Sequence, residues 1–230
     1  MSDPLVSVVI PVYNGQRFLR EALECVFAQD FDDYEVIVVD DGSQDASAEI
    51  AGSFPGVHLI RQQNQGPAAA RNTGLAAARG QLYANVDADD LLPSGKLTAQ
   101  AGYLLEHPEV DAVMGRQQFI DPPPWLTRDP VYDELDGIPL TSLVIRTAVL
   151  RGLGGYDTSF RQGEDTDLLM RMRERGHEIV VLPDLVVYRR FHGDNLTAEE
   201  IPVNPVLRSL RQKLVRQRAA AADGRSGEGG

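Results

Sequence analysis

The chain has 230 residues, 43% of them apolar and 24% charged, which suits a globular protein with one sizeable α/β domain and an appendage. Its formal net charge of -12 excludes a general nucleic-acid binder, which needs clustered Lys and Arg, so an anionic substrate has to be captured locally by a metal, by Arg or by backbone N–H groups. Cys25 is the only cysteine, which excludes an intrachain disulfide, and no apolar run approaches the roughly 20 residues that span a bilayer.

The first half alternates strands and helices. The β-branched run at 6–10 ends at Pro11 and reads as a strand buried on both faces. Phe18, Leu19, Ala22, Leu23, Val26 and Phe27 recur at helical spacing, which predicts an amphipathic helix over 17–29 with Cys25 in its core-facing pattern. Residues 34–39 form the second strand and end in Asp40-Asp41-Gly42-Ser43. Ser43 or Asp45 caps a short helix running to about 53, and 57–60 is the third strand. Pro67 opens an alanine-rich helix that Gly80 closes. Residues 82–86 are the fourth strand. This order predicts a mainly parallel sheet covered on both faces.

The second half is less regular. A helix is predicted over 94–107, stopped by Pro108, and a strand over 110–114. Asp121-Pro122-Pro123-Pro124-Trp125 fits neither helix nor inner strand, so 121–137 reads as a surface loop with Trp125 able to stack on a ligand or to anchor the loop. Residues 140–150 are apolar and of mixed character. A helix over 167–175 stops at Gly176, and 179–182 and 185–188 read as two short strands. From about 201 to 222, Leu207, Leu210, Leu214 and Val215 alternate with Arg208, Arg211, Lys213, Arg216 and Arg218. That basic amphipathic helix suits packing on its own domain or a second subunit, or lying on an anionic membrane surface. The segment 223–230 is small and polar and reads as disordered. Met1-Ser2-Asp3-Pro4 shows neither a basic leader nor an apolar signal segment, so a cytoplasmic protein is expected.

The chemistry is concentrated where strands end. In Asn85-Val86-Asp87-Ala88-Asp89-Asp90 an apolar run breaks into three carboxylates within four positions. Such groups repel one another unless a cation sits among them, and Mg²⁺ or Mn²⁺ with oxygen ligands often holds a substrate diphosphate as well. The competing reading is a solvated acidic turn before a helix capped by Ser94. In extended geometry Asp87 and Asp89, two apart, point to the same side. Arg71 lies in the first turns of the helix opened by Pro67, where a cation opposes the helix dipole; that conflict points to a partner, a phosphate or a nearby aspartate. Glu164, Asp165 and Asp167 fall at a helix start, where acidic residues are favoured without any catalytic role.

Several segments together resemble the family 2 glycosyltransferases, which have the GT-A fold. They are Val8-Val9-Ile10-Pro11-Val12-Tyr13-Asn14-Gly15, Val38-Val39-Asp40-Asp41-Gly42-Ser43, Gln65-Gly66-Pro67-Ala68-Ala69-Ala70-Arg71-Asn72, the Asp-x-Asp motif Asp87-Ala88-Asp89-Asp90, the Glu-Asp motif Gly163-Glu164-Asp165-Thr166-Asp167-Leu168, and the late segment Tyr188-Arg189-Arg190-Phe191-His192-Gly193-Asp194-Asn195. Each is weak alone; six in the family order, over about 5–198, are specific. The resemblance implies a Rossmann-like, mainly parallel sheet with helices on both faces over 1–200. Its nucleotide-binding half would cover about 1–115 and its acceptor-side half about 116–200.

The resemblance also implies a reaction: inverting transfer of a sugar from a nucleotide-diphosphate sugar, most often a UDP-sugar, to a hydroxyl acceptor on a glycan, a lipid-linked sugar or a peptide, with Mn²⁺ or Mg²⁺. It gives nucleotide-binding roles to Pro11, Tyr13, Asp40, Asp41, Arg71 and Asp87. It gives metal contacts to Asp89, Asp87 and His192. Asp165 becomes the general base, with Glu164 beside it to hold the loop, position the acceptor or exchange roles. Gly152-Leu153-Gly154-Gly155 lacks the Lys-Ser/Thr ending of a phosphate loop and reads as backbone freedom near the acceptor cleft. Two other readings stand beside this one: a nucleotidyltransferase that makes the sugar nucleotide, and a non-catalytic sugar-nucleotide-binding scaffold. A homodimer and peripheral membrane contact through the basic helix are further expectations.

Overall fold

A computed structural model describes residues 3–120, 140–160 and 163–192. Its strands are β1 Val6–Val12, β2 Tyr34–Asp40, β3 Val57–Arg61, β4 Leu82–Asn85, β5 Ala112–Ile120, β6 Val144–Arg146 and β7 Ile179–Arg190. Its helices are α1 Leu19–Phe27, α2 Ser47–Gly52, α3 Pro67–Ala77, α4 Lys96–Glu106, α5 Thr147–Gly152 and α6 Glu164–Glu174. The strands form one sheet in the order β3-β2-β1-β4-β6-β5-β7. All neighbours pair in parallel except β6, which runs antiparallel to both β4 and β5. Two antiparallel steps restore direction, so β1, β2, β4, β5 and β7 end at the same edge of the sheet.

Alternation along β1 shows why the sheet needs helices on both faces. Val6, Val8, Ile10 and Val12 pack with Leu19, Leu23 and Val26 of α1, Ala51 of α2 and Leu97, Ala101 and Leu104 of α4. Val9, with Ile37 and Val39 of β2, packs on the other face with Ala68, Ala70 and Leu75 of α3, Leu150 of α5 and Leu168 and Met172 of α6. Gly74 lets α3 lie directly on β1: a Cβ there would stand 2.3 Å from Val9 Cγ1. These are the two covered faces that the strand–helix alternation predicts.

Three second-half elements differ from the sequence expectation. β5 continues to Ile120 through Arg116, Gln117 and Gln118, because β6 spans three residues and β5 beyond it is held by β7 alone. The two short strands expected at 179–182 and 185–188 are the single strand β7. Pro183 falls where the β5–β7 register shifts, on the outermost strand, where a missing N–H breaks no ladder. The mixed stretch at 140–150 divides into a 3-10 turn, Leu140–Ser142, then β6 and α5. The expected loop at 121–137, with Trp125, and the basic helix at 201–222 lie outside the described residues.

Candidate functional site

The edge where the parallel strands end gathers most of the sequence-predicted residues. Pro11 sits half-buried one residue before the end of β1, and Tyr13 just beyond the strand is 52% exposed. The loop after β1 is tied to the loop after β2 by reciprocal bonds. The amides of Asn14, Gly15 and Gln16 donate to Ser43 Oγ, Ser47 Oγ and Asp45 Oδ2, each at 2.9 Å. In return the Gln44 amide donates to Asn14 Oδ1 and the Ala46 amide to Gln16 Oε1. Asn14 holds a left-handed backbone (φ 52°), and its side-chain oxygen takes one of these bonds.

Asp40 and Asp41 are both buried. Asp40 accepts the Ser43 amide on Oδ1 and Arg61 Nε on Oδ2, so it pins its own turn. Asp41 Oδ1 accepts Gln62 Nε2 and the Gln65 amide, and Oδ2 accepts the Gly66 amide at 2.8 Å. Asp41 thereby caps the entry to α3, and three donors fix its carboxylate.

Arg71 is the hub. It is 5% exposed, and its guanidinium has three partners from three places in the chain. Nε donates to Asn85 Oδ1 at 3.0 Å, NH2 to Asp87 Oδ1 at 2.8 Å, and NH1 to Glu164 Oε1. Burial alone favours the neutral guanidine, but Asp87 and Glu164 outweigh it and hold Arg71 charged. Asp87 is held below the ordinary carboxylate range because Arg71 overcomes the effect of burial. Glu164 goes the other way: burial raises its carboxyl, Arg71 offsets this only in part, and Asp165 reinforces it. The partner sought for Arg71 is therefore two carboxylates, on β4's end and on the first residue of α6.

Several residues that sequence reasoning missed complete this cluster. Thr141 Oγ1 accepts the Asp87 amide. Asn85 Nδ2 reaches Asp87 Oδ1. Tyr83 Oη donates to the Arg71 carbonyl, and Tyr156 lies beneath the Arg71 guanidinium, 5.9 Å from its ring centre. Asn72 clamps Tyr156 by a bond to its amide and another to its carbonyl. Only the sequence neighbours Asn72 and Asn85 carried a signal, as polar residues inside the apolar runs around Arg71 and Asp87.

The Asp-x-Asp segment corrects the extended-strand expectation. β4 stops at Asn85, and the Asp90 amide donates to the Asp87 carbonyl, so 87–90 is a turn. Asp87 and Asp89 consequently diverge: Asp87 meets Arg71, and Asp89 Oδ2 meets His192 Nε2 at 3.0 Å. His192 also packs on Phe18, with ring centres 4.5 Å apart. Burial and the nearby Asp87 raise the Asp89 carboxyl, with His192 opposing. Asp90 is buried and is raised further by burial, Asp87 and Asp89, and its Oδ1 accepts the Arg190 amide. This is the crowding of like charge that a cation relieves. Among the described residues no group of three His, Cys, Asp or Glu side chains is arranged to hold a metal ion; Asp89 and His192 together offer two donors.

Asp165 stands half-buried in the first turn of α6, next to Glu164. Its Oδ1 accepts the Thr166 amide and hydroxyl, which leaves Oδ2 available. Asp167, assigned above to helix-start preference alone, is buried and pairs with Arg171 Nε at 2.6 Å one turn on. The glycines at 154 and 155 have positive φ and follow α5; a Cβ on Gly155 would stand 2.4 Å from Asn72 Oδ1.

Known proteins agree with this architecture. Residues 7–181 match the family described as Glycosyl transferase family 2. EpsJ of Bacillus subtilis, described as an uncharacterized glycosyltransferase, is 28% identical over 94% of this chain and 69% of its own length. Glycosyltransferase GlyG of Streptococcus pneumoniae is 36% identical over 58% of this chain and 42% of its own length. TarS 1-349 of S. aureus, solved with UDP-GlcNAc, superimposes with a TM-score of 0.76 at 22% identity, over 90% of this chain and 64% of that one. The mannosyltransferase PcManGT of Pyrobaculum calidifontis, solved with GDP-Man and Mn²⁺, gives 0.69 at 26% identity, over 86% of this chain and 60% of that one. The chain thus spans about two thirds or less of most of these relatives. The TarS likeness gives the fold, GT-A, and the family match extends over both the Arg71 hub and the start of α6: this chain belongs to glycosyl transferase family 2.

Proposed function

We propose that the chain transfers a sugar, with inversion, from a nucleotide-diphosphate sugar, a UDP-sugar before others, to a hydroxyl acceptor. The observation that carries this reading is the single Arg71 guanidinium bonded to both Asp87 and Glu164. It ties the end of β4, the proposed donor side, to the first turn of α6, the turn that carries Asp165, and so supports a reading in which donor and base share one site. The nucleotide-sugar complexes of the two solved relatives support a nucleotide-diphosphate sugar as the donor.

The residues divide the work. Asp41, oriented by three donors, keeps a lone pair on Oδ2 for a base or ribose donor, and Tyr13 offers its exposed ring to the base. Asp165 takes the proton of the acceptor hydroxyl as that oxygen bonds to the anomeric carbon. The anomeric C–O bond to the diphosphate breaks, and its electron pair leaves on the diphosphate oxygen. Attack from the face opposite the leaving group inverts the anomeric centre. Glu164, committed to Arg71, positions Asp165 rather than competing for the proton.

Asp89 and His192 would hold Mn²⁺ or Mg²⁺, through a carboxylate oxygen and an imidazole nitrogen that already lie 3.0 Å apart. A divalent ion bound there supplies neutralisation of the charge growing on the leaving diphosphate.

A panel of nucleotide sugars incubated with Mn²⁺ or Mg²⁺, followed by slow donor hydrolysis without acceptor, tests the proposal. Asp165→Asn is expected to leave nucleotide binding nearly intact and abolish transfer, whereas Asp89→Asn weakens metal-dependent donor binding. Wild-type turnover by the Asp165→Asn variant ends the base assignment. Pyrophosphate released from a nucleoside triphosphate and a sugar phosphate moves the chain to the nucleotidyltransferase reading.

A further inference from the structure

We infer that Arg189, a residue given no role above, binds the diphosphate of the donor. The inference rests on the proposed nucleotide-sugar reading and names a residue for it. Arg189 lies near the end of β7, opposite Phe119 of β5. There β7 is stitched to the Asp-x-Asp turn: Tyr188 and Leu91 exchange amide–carbonyl bonds at 2.8 and 3.0 Å, and the Arg190 amide donates to Asp90 Oδ1. This fixes Arg189 in register with the acidic turn.

Alternation along the strand sends Arg189 and Arg190 to opposite sides. Arg190 turns to α1, where its NH2 bonds Glu21 at 2.6 Å and its guanidinium lies over the Phe18 ring, and its Nε is taken by the Asp89 carbonyl. Arg189 turns the other way and lowers the carboxyls of both Asp87 and Asp90 through space. Yet among the described residues its side chain has no hydrogen bond and no ion pair, although it is half-buried. Asp87 is already engaged by Arg71 and Asn85, and Asp90 by the Arg190 amide.

A guanidinium cannot shed its charge, and its five N–H donors match phosphate oxygens in pairs. A half-buried Arg with unused donors, beside the turn that presents Asp89, is therefore a ready anion site. A diphosphate is the anion of the proposed reaction that must sit against that turn. Its negative charge increases as the sugar leaves, so Arg189 would act on the leaving group from the chain itself.

The experiment is calorimetric titration of UDP, UMP and uridine (and GDP, GMP and guanosine) into the full chain with Mn²⁺, for wild type, Arg189→Met and Arg189→Lys. Charge-assisted bonds of this kind are worth about ten- to a hundredfold in affinity. Arg189→Met is expected to lose about that factor for the diphosphate, while the nucleoside binds as in wild type. Arg189→Lys, which keeps a point charge without the paired donors, recovers part of it and shows that the loss is not one of folding. Equal loss for diphosphate and nucleoside, or no loss for either, overturns the inference alone. A wild-type chain that binds neither UDP nor GDP removes the proposed function, and this inference with it.

Discussion

Lys96→Met is expected to stabilise this protein, and by an amount that fades as pH rises. Lys96 opens α4 and is 1% exposed, and its ammonium has one side-chain partner, Gln100 Oε1, at 2.6 Å. Burial pushes its pKa down from 10.5 to about 7. In the unfolded chain the group stays protonated up to about 10.5, so between 7 and 10.5 the unfolded state binds more protons, and stability rises with pH through that window. The contribution is complete above 10.5 and is lost as pH falls to about 7; the gap of 10.5 minus about 7, at ~1.4 kcal/mol per pH unit, makes ~5 kcal/mol. Methionine removes that penalty but leaves Gln100 Oε1 without its donor, at a cost of about 1–3 kcal/mol. The net gain is then about 2–4 kcal/mol near pH 6.5, shrinking by roughly 3 kcal/mol by pH 9.5. Urea unfolding of both proteins at pH 6.5, 8 and 9.5 measures the difference, in which all other titrating groups cancel. A difference that does not change with pH, or a wild type that is the more stable at pH 6.5, refutes the reasoning.

Arg71→Met leaves Asp87 and Glu164 buried without their shared cation and is expected to cost about 3–5 kcal/mol in urea unfolding. Adding Glu164→Gln to that variant recovers part of the loss, and strict additivity of the two changes would show that the ion pair does not couple β4 to α6. Gly74→Ala drives a Cβ to 2.3 Å from Val9 Cγ1 and is expected to cost about 1–3 kcal/mol in thermal unfolding. Val9→Ala in the same chain then restores some of it, and an unchanged melting temperature on Gly74→Ala removes the close-packing account of α3.

The parts of the fold that the sequence displays are those set by local pattern. β1, β2 and β4 are β-branched or apolar runs, the last two broken by Asp40-Asp41 and Asp87, and both faces of a central strand are apolar, so their pairing follows, although β1 runs one residue past Pro11. Gly66-Pro67 starts α3 where the asymmetry of helix ends places it. What stayed hidden depends on contacts between distant residues. Nothing local to Arg71 says that its partners are Asp87 and Glu164, the latter 93 positions away. The divergence of Asp87 from Asp89 is decided by one backbone bond that turns 87–90, where the pattern reads as strand. Arg116, Gln117 and Gln118 carry no strand signal, yet β7 holds them in β5. Asp40 and Asp41 read alike in sequence; only the structure separates a carboxylate occupied with Ser43 and Arg61 from one poised at the start of α3.

The charges at the strand ends explain why these separate features belong together. Asp87, Asp89, Asp90, Glu164 and Asp165 lie in one region of a chain that is already strongly acidic overall. Arg71 is committed to two of them, and Arg190 holds the turn by its amide and by a bond from Nε to the Asp89 carbonyl, while its NH2 bonds Glu21. A diphosphate entering such a field meets repulsion unless cations accompany or await it. In the proposed reading, Asp89 with His192 and the Arg189 side chain are the two places that provide for that. The same arrangement spares Asp165: Arg71 binds Glu164 beside it and not Asp165 itself, so one oxygen of that carboxylate stays free to accept a proton. An acidic cleft is a poor anion site but a good place for a general base, and in the proposed function the placement of Arg71, Arg189 and the Asp89–His192 pair would let one edge of the sheet serve as both.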